Sequence, residues 1–307
     1  MIDIQHYLTC LQKDKFTIFL FHGVIPEKDS VIRNYTNKHL LSKDFENLLV
    51  ELKNIGKPIS LDEAIDSFES KTSLPNFSYA ITFDDGFENN YSIALPILEK
   101  HSTPATFYVS TNLIEKNLMS WIDQIEYCFE KSNNISLLLP WKDDSIQLSS
   151  IEEKINCLED IRKQVKANQD LYEPSKIVSS IFKQCDKTLV SSSNHILDKK
   201  MNWSQVADIH QKDLFSIGGH SHNHLSLGLL DPIIMKNEII TSLEYLKHKA
   251  NISSYHYSYP EGQSHDFNNS IITVLRDQQI KCCPTAIDGL NDLNIPSLFH
   301  LKRVMVY

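Results

Sequence analysis

The chain has 307 residues, 41% hydrophobic and 22% charged, with a formal net charge of −9. That length suits one large globular domain or two modest ones, and the acidic balance excludes the broad basic face of a general nucleic-acid binder. Asp3 stands where a secretory leader carries basic residues, and no apolar run reaches the ~18 residues of a membrane span, so a cytoplasmic protein is expected. Cys10, Cys128, Cys157, Cys185, Cys282 and Cys283 lack CxxC spacing and read as reduced thiols.

In chain order, "FTIFLFHGV" (16–24) reads as a buried strand and "SKDFENLLVELKNIG" (42–56) as a helix with Ser42 as N-cap and Gly56 near its end. "SYAITF" (78–83) is the next strand, followed by a helix over 89–102 that Pro96 kinks, then by the strand "PATFYVS" (104–110). Residues 112–200 break the rhythm: amphipathic helical pattern with polar loops predicts a mostly helical insertion. "LFSIGGH" (214–220) resumes the strands, followed by a helix over 231–249 with Pro232 in its first turn. Residues 255–260 read as a strand, 266–279 as a helix, 281–287 as a strand and 300–307 as a closing strand. Alternating short strands and helices predict βα units around a parallel sheet or barrel. Five of the eight glycines (Gly23, Gly86, Gly218, Gly219, Gly262) fall near strand ends, where ligands bind in such folds.

Within "AITFDDGFENN" (80–90), an apolar strand ends on two adjacent carboxylates, Asp84 and Asp85. Side by side they repel and resist burial. They can cap a helix and start a turn, or one can hold a metal while the other moves a proton. In "GGHSHNHLSL" (218–227), His220 and His224 share a face in a turn, whereas His220, His222 and His224 share one in an extended segment. Two imidazoles and a carboxylate form an open zinc donor set.

"TFDDG" followed by "HSxxH" resembles the polysaccharide deacetylase family, carbohydrate esterase family 4. The resemblance implies an α/β fold, a distorted (β/α) barrel, spanning 1–307 as a single domain with the helical insertion at about 112–200. It implies deacetylation of sugars with one divalent metal ion, Zn2+ in most members, held by Asp85, His220 and His224, with Asp84 as general base. "YSYPEG" (257–262) is similar to the family's groove-lining element and gives Glu261 as the backbone N–H donor to the oxyanion, with Tyr259 and Pro260 on the substrate side. Ser258 stands where the family carries the arginine that contacts the catalytic aspartate, which leaves the tuning of Asp84 open.

The family's Leu-x-His element occurs twice, ending at His22 and at His300. His22, at the end of the first strand, resembles the front-placed histidine of circularly permuted poly-N-acetylglucosamine deacetylases and is the favoured general acid; His300 is the alternative. Trp121 and Asp123 in "MSWIDQIEY" resemble a WxD stretch of relatives and edge the pocket or simply start a helix. The expected activity is removal of an acetyl group, above all N-acetyl, from an amino sugar, nucleotide- or lipid-linked, in surface polysaccharide synthesis. The alternatives are O-deacetylation, N-deformylation, or carbohydrate binding without catalysis.

Overall fold

Runs of β-branched and aromatic residues form the parallel strands β1 (Lys15–Phe21), β2 (Ser78–Phe83), β3 (Ala105–Val109) and β4 (Phe215–Gly219). The computed structural model describes residues 2–168, 171–293 and 297–307. The last strand, β5 (Val304–Met305), pairs parallel with β1 on the side away from β2, so the order is β5-β1-β2-β3-β4. The two ends of the sequence are therefore neighbours in the sheet.

Strand alternation sorts the side chains into two layers. Phe21, Phe83 and Phe107 stack across adjacent strands, with centroids 5.3 and 5.0 Å apart, and meet Phe45 or neighbouring residues of the outer helices. Ile18, Ala80 and Tyr108 face the other way, into the barrel. Asp84 follows in the parity of Thr82, so it too belongs to the inner side.

Beyond β4 the ring closes through single bridges, Gly219–Tyr257 and His256–Cys282. Hydrogen bonds from Cys283 N to Leu298 O, Thr285 N to Leu301 O and Arg303 N to Ile287 O complete it. The strands expected over 255–260 and 281–287 are thus reduced to bridges, and the closing strand to two residues. Pro260 and Pro284 have no N–H to give a regular ladder.

Helix Ser42–Ile55 buries Phe45, Leu48, Leu49 and Leu52; Leu41 takes the cap position and Ser42 lies inside the first turn. The segment after β2 is a wide π turn, Asn90–Ala94, running into helix Leu95–Lys100. Residues 88–100 are helical throughout, and the π turn falls in the turn immediately before Pro96, whose missing N–H and ring disturb that turn, in keeping with the irregularity expected at Pro96. Helix Pro232–Ala250 starts on Asp231, whose Oδ1 accepts from Ile233 N at 2.8 Å, and Asn269–Asp277 is shorter than the sequence pattern.

The 112–200 region holds helices Thr111–Lys116, Trp121–Glu130, Ile151–Ala167 and Pro174–Gln184, and a small antiparallel hairpin, Ile135–Leu137 with Ile146–Leu148. Ile125, Phe129, Leu158, Ile161 and Ile181 build its own apolar core, which Ile32 and Tyr35 join from outside. Among the described residues, no helix is long and apolar enough to cross a membrane.

Candidate active site

A cavity of about 450 Å³ opens where β1, β2 and β4 end. His22 follows β1, Asp84 and Asp85 follow β2, and His220 follows β4; all line it, together with His224 and Glu261. The backbone turns sharply here. Asp85, His224 and Glu261 all have left-handed φ, at 74°, 57° and 60°, a conformation costly for non-glycine residues and concentrated at functional sites.

Asp85 Oδ1 lies 3.1 Å from His224 Nε2 and 3.6 Å from His220 Nε2. One donor atom from each of the three lies within 4.8 Å of the others. His220 Nδ1 is 2.9 Å from the Ser258 carbonyl, which fixes the tautomer and aims Nε2 at the carboxylates. Burial lowers the His220 pKa against the pull of Asp84. Burial also works against charge on Asp85, yet His224 holds its carboxyl well below the ordinary range. These residues could hold a metal ion. His222 lies outside the group: its ring packs on Tyr245 and its Nδ1 is 2.9 Å from Thr111 Oγ1.

Asp84 is only 4% exposed and is gripped by Arg303. Arg303 Nη1 donates to Oδ1 at 2.9 Å and Nη2 to Oδ2 at 2.7 Å. The other donors of the guanidinium reach Thr82 Oγ1, Ser258 Oγ and the Thr285 carbonyl at 3.3, 3.0 and 2.6 Å. All five N–H directions of this buried cation are thereby used. Burial raises the Asp84 pKa, but Arg303, then His220, bring it net below the ordinary value. The arginine missing at Ser258 is thus replaced from the other end of the chain, and Ser258 leaves room for it and binds it. Sequence reading missed Arg303 because nothing near it in sequence marks it; only its place beside β5 does.

His22 is half-buried in the cavity wall, its carbonyl accepting from Asn90 Nδ2 at 2.7 Å. Burial lowers its pKa to about 4, opposed by Asp85 and Asp84. His300 is exposed, packs edge-on against Phe267 and does not line the cavity. It lies in a turn and begins no strand.

Glu261 N–H has no acceptor among the described residues, and its carboxylate pairs with Lys166. Tyr259 and Pro260 do not reach the cavity wall, which corrects the expected substrate contact. Tyr259 is fully buried, stacks on Phe267 and donates to the Phe299 carbonyl at 3.3 Å; Pro260 is buried beside it. Their parity sends the aromatic ring into the core while the loop backbone faces the cavity. Trp121 does line the wall, and Asp123 instead pairs with Lys38 as a buried ion pair.

Residues 71–283 match the family model described as polysaccharide deacetylase. Among solved structures, the chain is similar to the deacetylase PplD of Streptococcus pyogenes, with 16% identity, TM-score 0.60, and 95% of this chain and 92% of that one covered. It is also similar to IcaB from Ammonifex degensii, with 16% identity, TM-score 0.59, and 96% and 93% covered. A de-N-acetylase from Aggregatibacter actinomycetemcomitans matches with 16% identity, TM-score 0.57, and 95% and 94% covered. At these identities the likenesses establish the fold. No curated protein matches. The residues matched to the family include Asp84, Asp85, His220, His224 and Glu261, whereas His22 and Arg303 lie outside them.

Proposed function

The chain belongs to the polysaccharide deacetylase family, and on that premise we propose that it is a metal-dependent hydrolase removing an N-acetyl group from an amino sugar. The observation that carries this reading is the pairing of two different carboxylates. Asp85 is gathered with both His220 and His224, while the adjacent Asp84 has both oxygens bound by Arg303 and approaches only His220 Nε2, at 3.9 Å.

The residues fit a divalent ion. Asp85 Oδ1 is buried, and its close polar neighbours among the described residues are the imidazoles of His224 at 3.1 Å and His220 at 3.6 Å, the groups that would share a cation with it. Two imidazoles with one carboxylate suit zinc and leave open positions. Bound there, the ion polarises the scissile carbonyl and makes the attacking water more acidic.

Asp84 is the proposed base. Arg303 keeps it ionised at neutral pH and fixes its plane, so a proton from water has one acceptor in one orientation. The Glu261 N–H, free of other acceptors, is the proposed donor to the oxyanion. His22 is the proposed donor to the leaving nitrogen. Burial keeps its resting imidazole neutral, so the proton it passes to the nitrogen is the one Asp84 has taken from the attacking water, and Asp85 and Asp84 are the charges that favour the protonated ring in between.

The experiment is metal analysis of the purified protein coupled to an acetate-release screen over N-acetylated amino sugars. Zinc near one equivalent with acetate release supports the reading. Asp85→Ala should lose the metal; Asp84→Asn should keep it and lose ~10²–10⁴-fold in turnover. Acetate release undiminished in both variants overturns it.

A further inference from the structure

The wall facing the catalytic aspartates comes from the insertion. Helix Ile151–Ala167 presents Arg162 and Lys166, one turn apart, and Trp121 starts the neighbouring helix. Lys38 is the third cation lining the cavity. Two of the three are already paired, Lys38 with Asp123 and Lys166 with Glu261. Arg162 has no ion-pair partner among the described residues. It is half-buried, its guanidinium lies near the Tyr35 hydroxyl, and the nearest carboxylates are Glu126 and Glu261. Glu261 is committed to Lys166, and Glu126 accepts from Asn34 N at 3.0 Å.

Arg162, Lys166 and Lys38 equal in number the carboxylates Asp84, Asp85 and Glu261 lining the same cavity. A divalent ion adds two positive charges, so the loaded cavity is net positive within a chain of net charge −9. A concave site of opposite sign to the rest of the surface gathers anions. The one uncommitted cation is an arginine, whose planar fork matches phosphate oxygens.

We propose that the substrate is an anionic amino sugar, a phosphate ester, whose phosphate is held by Arg162 while the acetamido group lies at Asp84 and Asp85. This rests on the deacetylase reading for the orientation of the sugar, but the phosphate contact stands on the insertion's own residues. The same chemistry is offered by a sugar 1-phosphate, a nucleoside diphosphate sugar or a lipid-linked phosphosugar.

The test is calorimetric binding to the metal-free protein, where the ion cannot itself capture phosphate. N-acetylglucosamine 1-phosphate should bind at least tenfold more tightly than N-acetylglucosamine, and more weakly as NaCl rises. Arg162→Gln should abolish that preference and leave the affinity for the neutral sugar unchanged. Arg162→Lys should restore part of it. UDP-N-acetylglucosamine and a decyl diphosphate-linked N-acetylglucosamine, compared with the 1-phosphate, show which source adds affinity. Equal binding of charged and neutral sugars, no binding of the charged one, or a preference untouched by Arg162→Gln each overturns the proposal. A phosphate preference without acetate release from any substrate would leave the anion site standing and remove the deacetylase reading instead.

Discussion

Arg303 donates to both oxygens of Asp84, whereas Asp85 lies with His220 and His224. Replacing Arg303 with Leu strands a buried carboxylate, which costs on the order of 3–5 kcal/mol. It also removes the main influence lowering the Asp84 pKa, so burial pushes that carboxyl up. A base works only when deprotonated, so the acid limb of the pH–rate profile should move to higher pH. Arg303→Lys restores the charge without the fork and should move the limb part of the way back. Profiles of kcat/KM for the three proteins check this; an unshifted limb in Arg303→Leu means Asp84 is not the titrating base. His22→Ala should slow amide substrates strongly and esters with good leaving groups much less, because only the amine must be protonated to leave. His300→Ala should do neither, since its ring lies on Phe267 away from the cavity. Parallel kinetics on the two substrate types decide between them, and a loss confined to His300→Ala refutes the assignment.

At the scale of elements, the insertion returns to the barrel through residues 198–201, which bridge to the turn after β2 at Phe87 and Lys200. Lys200 is buried, its Nζ 3.4 Å above the Phe87 ring and without a hydrogen bond among the described residues. Burial lowers its pKa to about 8, although Asp123 and Asp85 favour the charge. In the unfolded chain a lysine titrates near ~10.4. Between those values the unfolded state binds more protons, so stability should rise with pH by up to on the order of 3 kcal/mol from this group. Lys200→Met should be more stable at pH 7 and should lack that rise. Urea unfolding of both proteins at pH 7, 8, 9 and 10 tests it, and parallel curves would show that the buried ammonium is compensated.

Over the whole molecule, two apolar cores meet across the cavity: the barrel supplies the aspartates and histidines, the insertion supplies Trp121, Arg162 and Lys166. Ile161 is fully buried in the insertion core, beside Arg162. Ile161→Ala should cost about 2–5 kcal/mol and raise KM, because the cationic wall loses its support. Metal affinity should be unchanged, because Asp85, His220 and His224 hang from barrel strands. Thermal melts, kinetics and a metal titration on one preparation read all three, and a fall in metal affinity would show that the two cores are not separable.

The parallel α/β architecture was legible in the sequence, as were the largely helical character of 112–200 and the polar residues Asp84, Asp85, His220 and His224, which the structure brings to one cavity. Strand periodicity is local, and the charged residues cluster within a few positions of strand ends. The sequence by itself also placed His22 at a strand end, from the apolar run before it. Three things waited for the tertiary structure. Tyr259 turned inward because strand parity there is set by closure of the barrel, which no local pattern reveals. Arg303 reached Asp84 because β5 pairs beside β1, a contact between residues 219 positions apart. Arg162 and Lys166 joined the cavity because the insertion folds back on its own core. Local pattern determines which residues form an element and which face it presents; what meets across a cavity depends on pairings of high sequence separation, and those are settled only when the whole chain has packed.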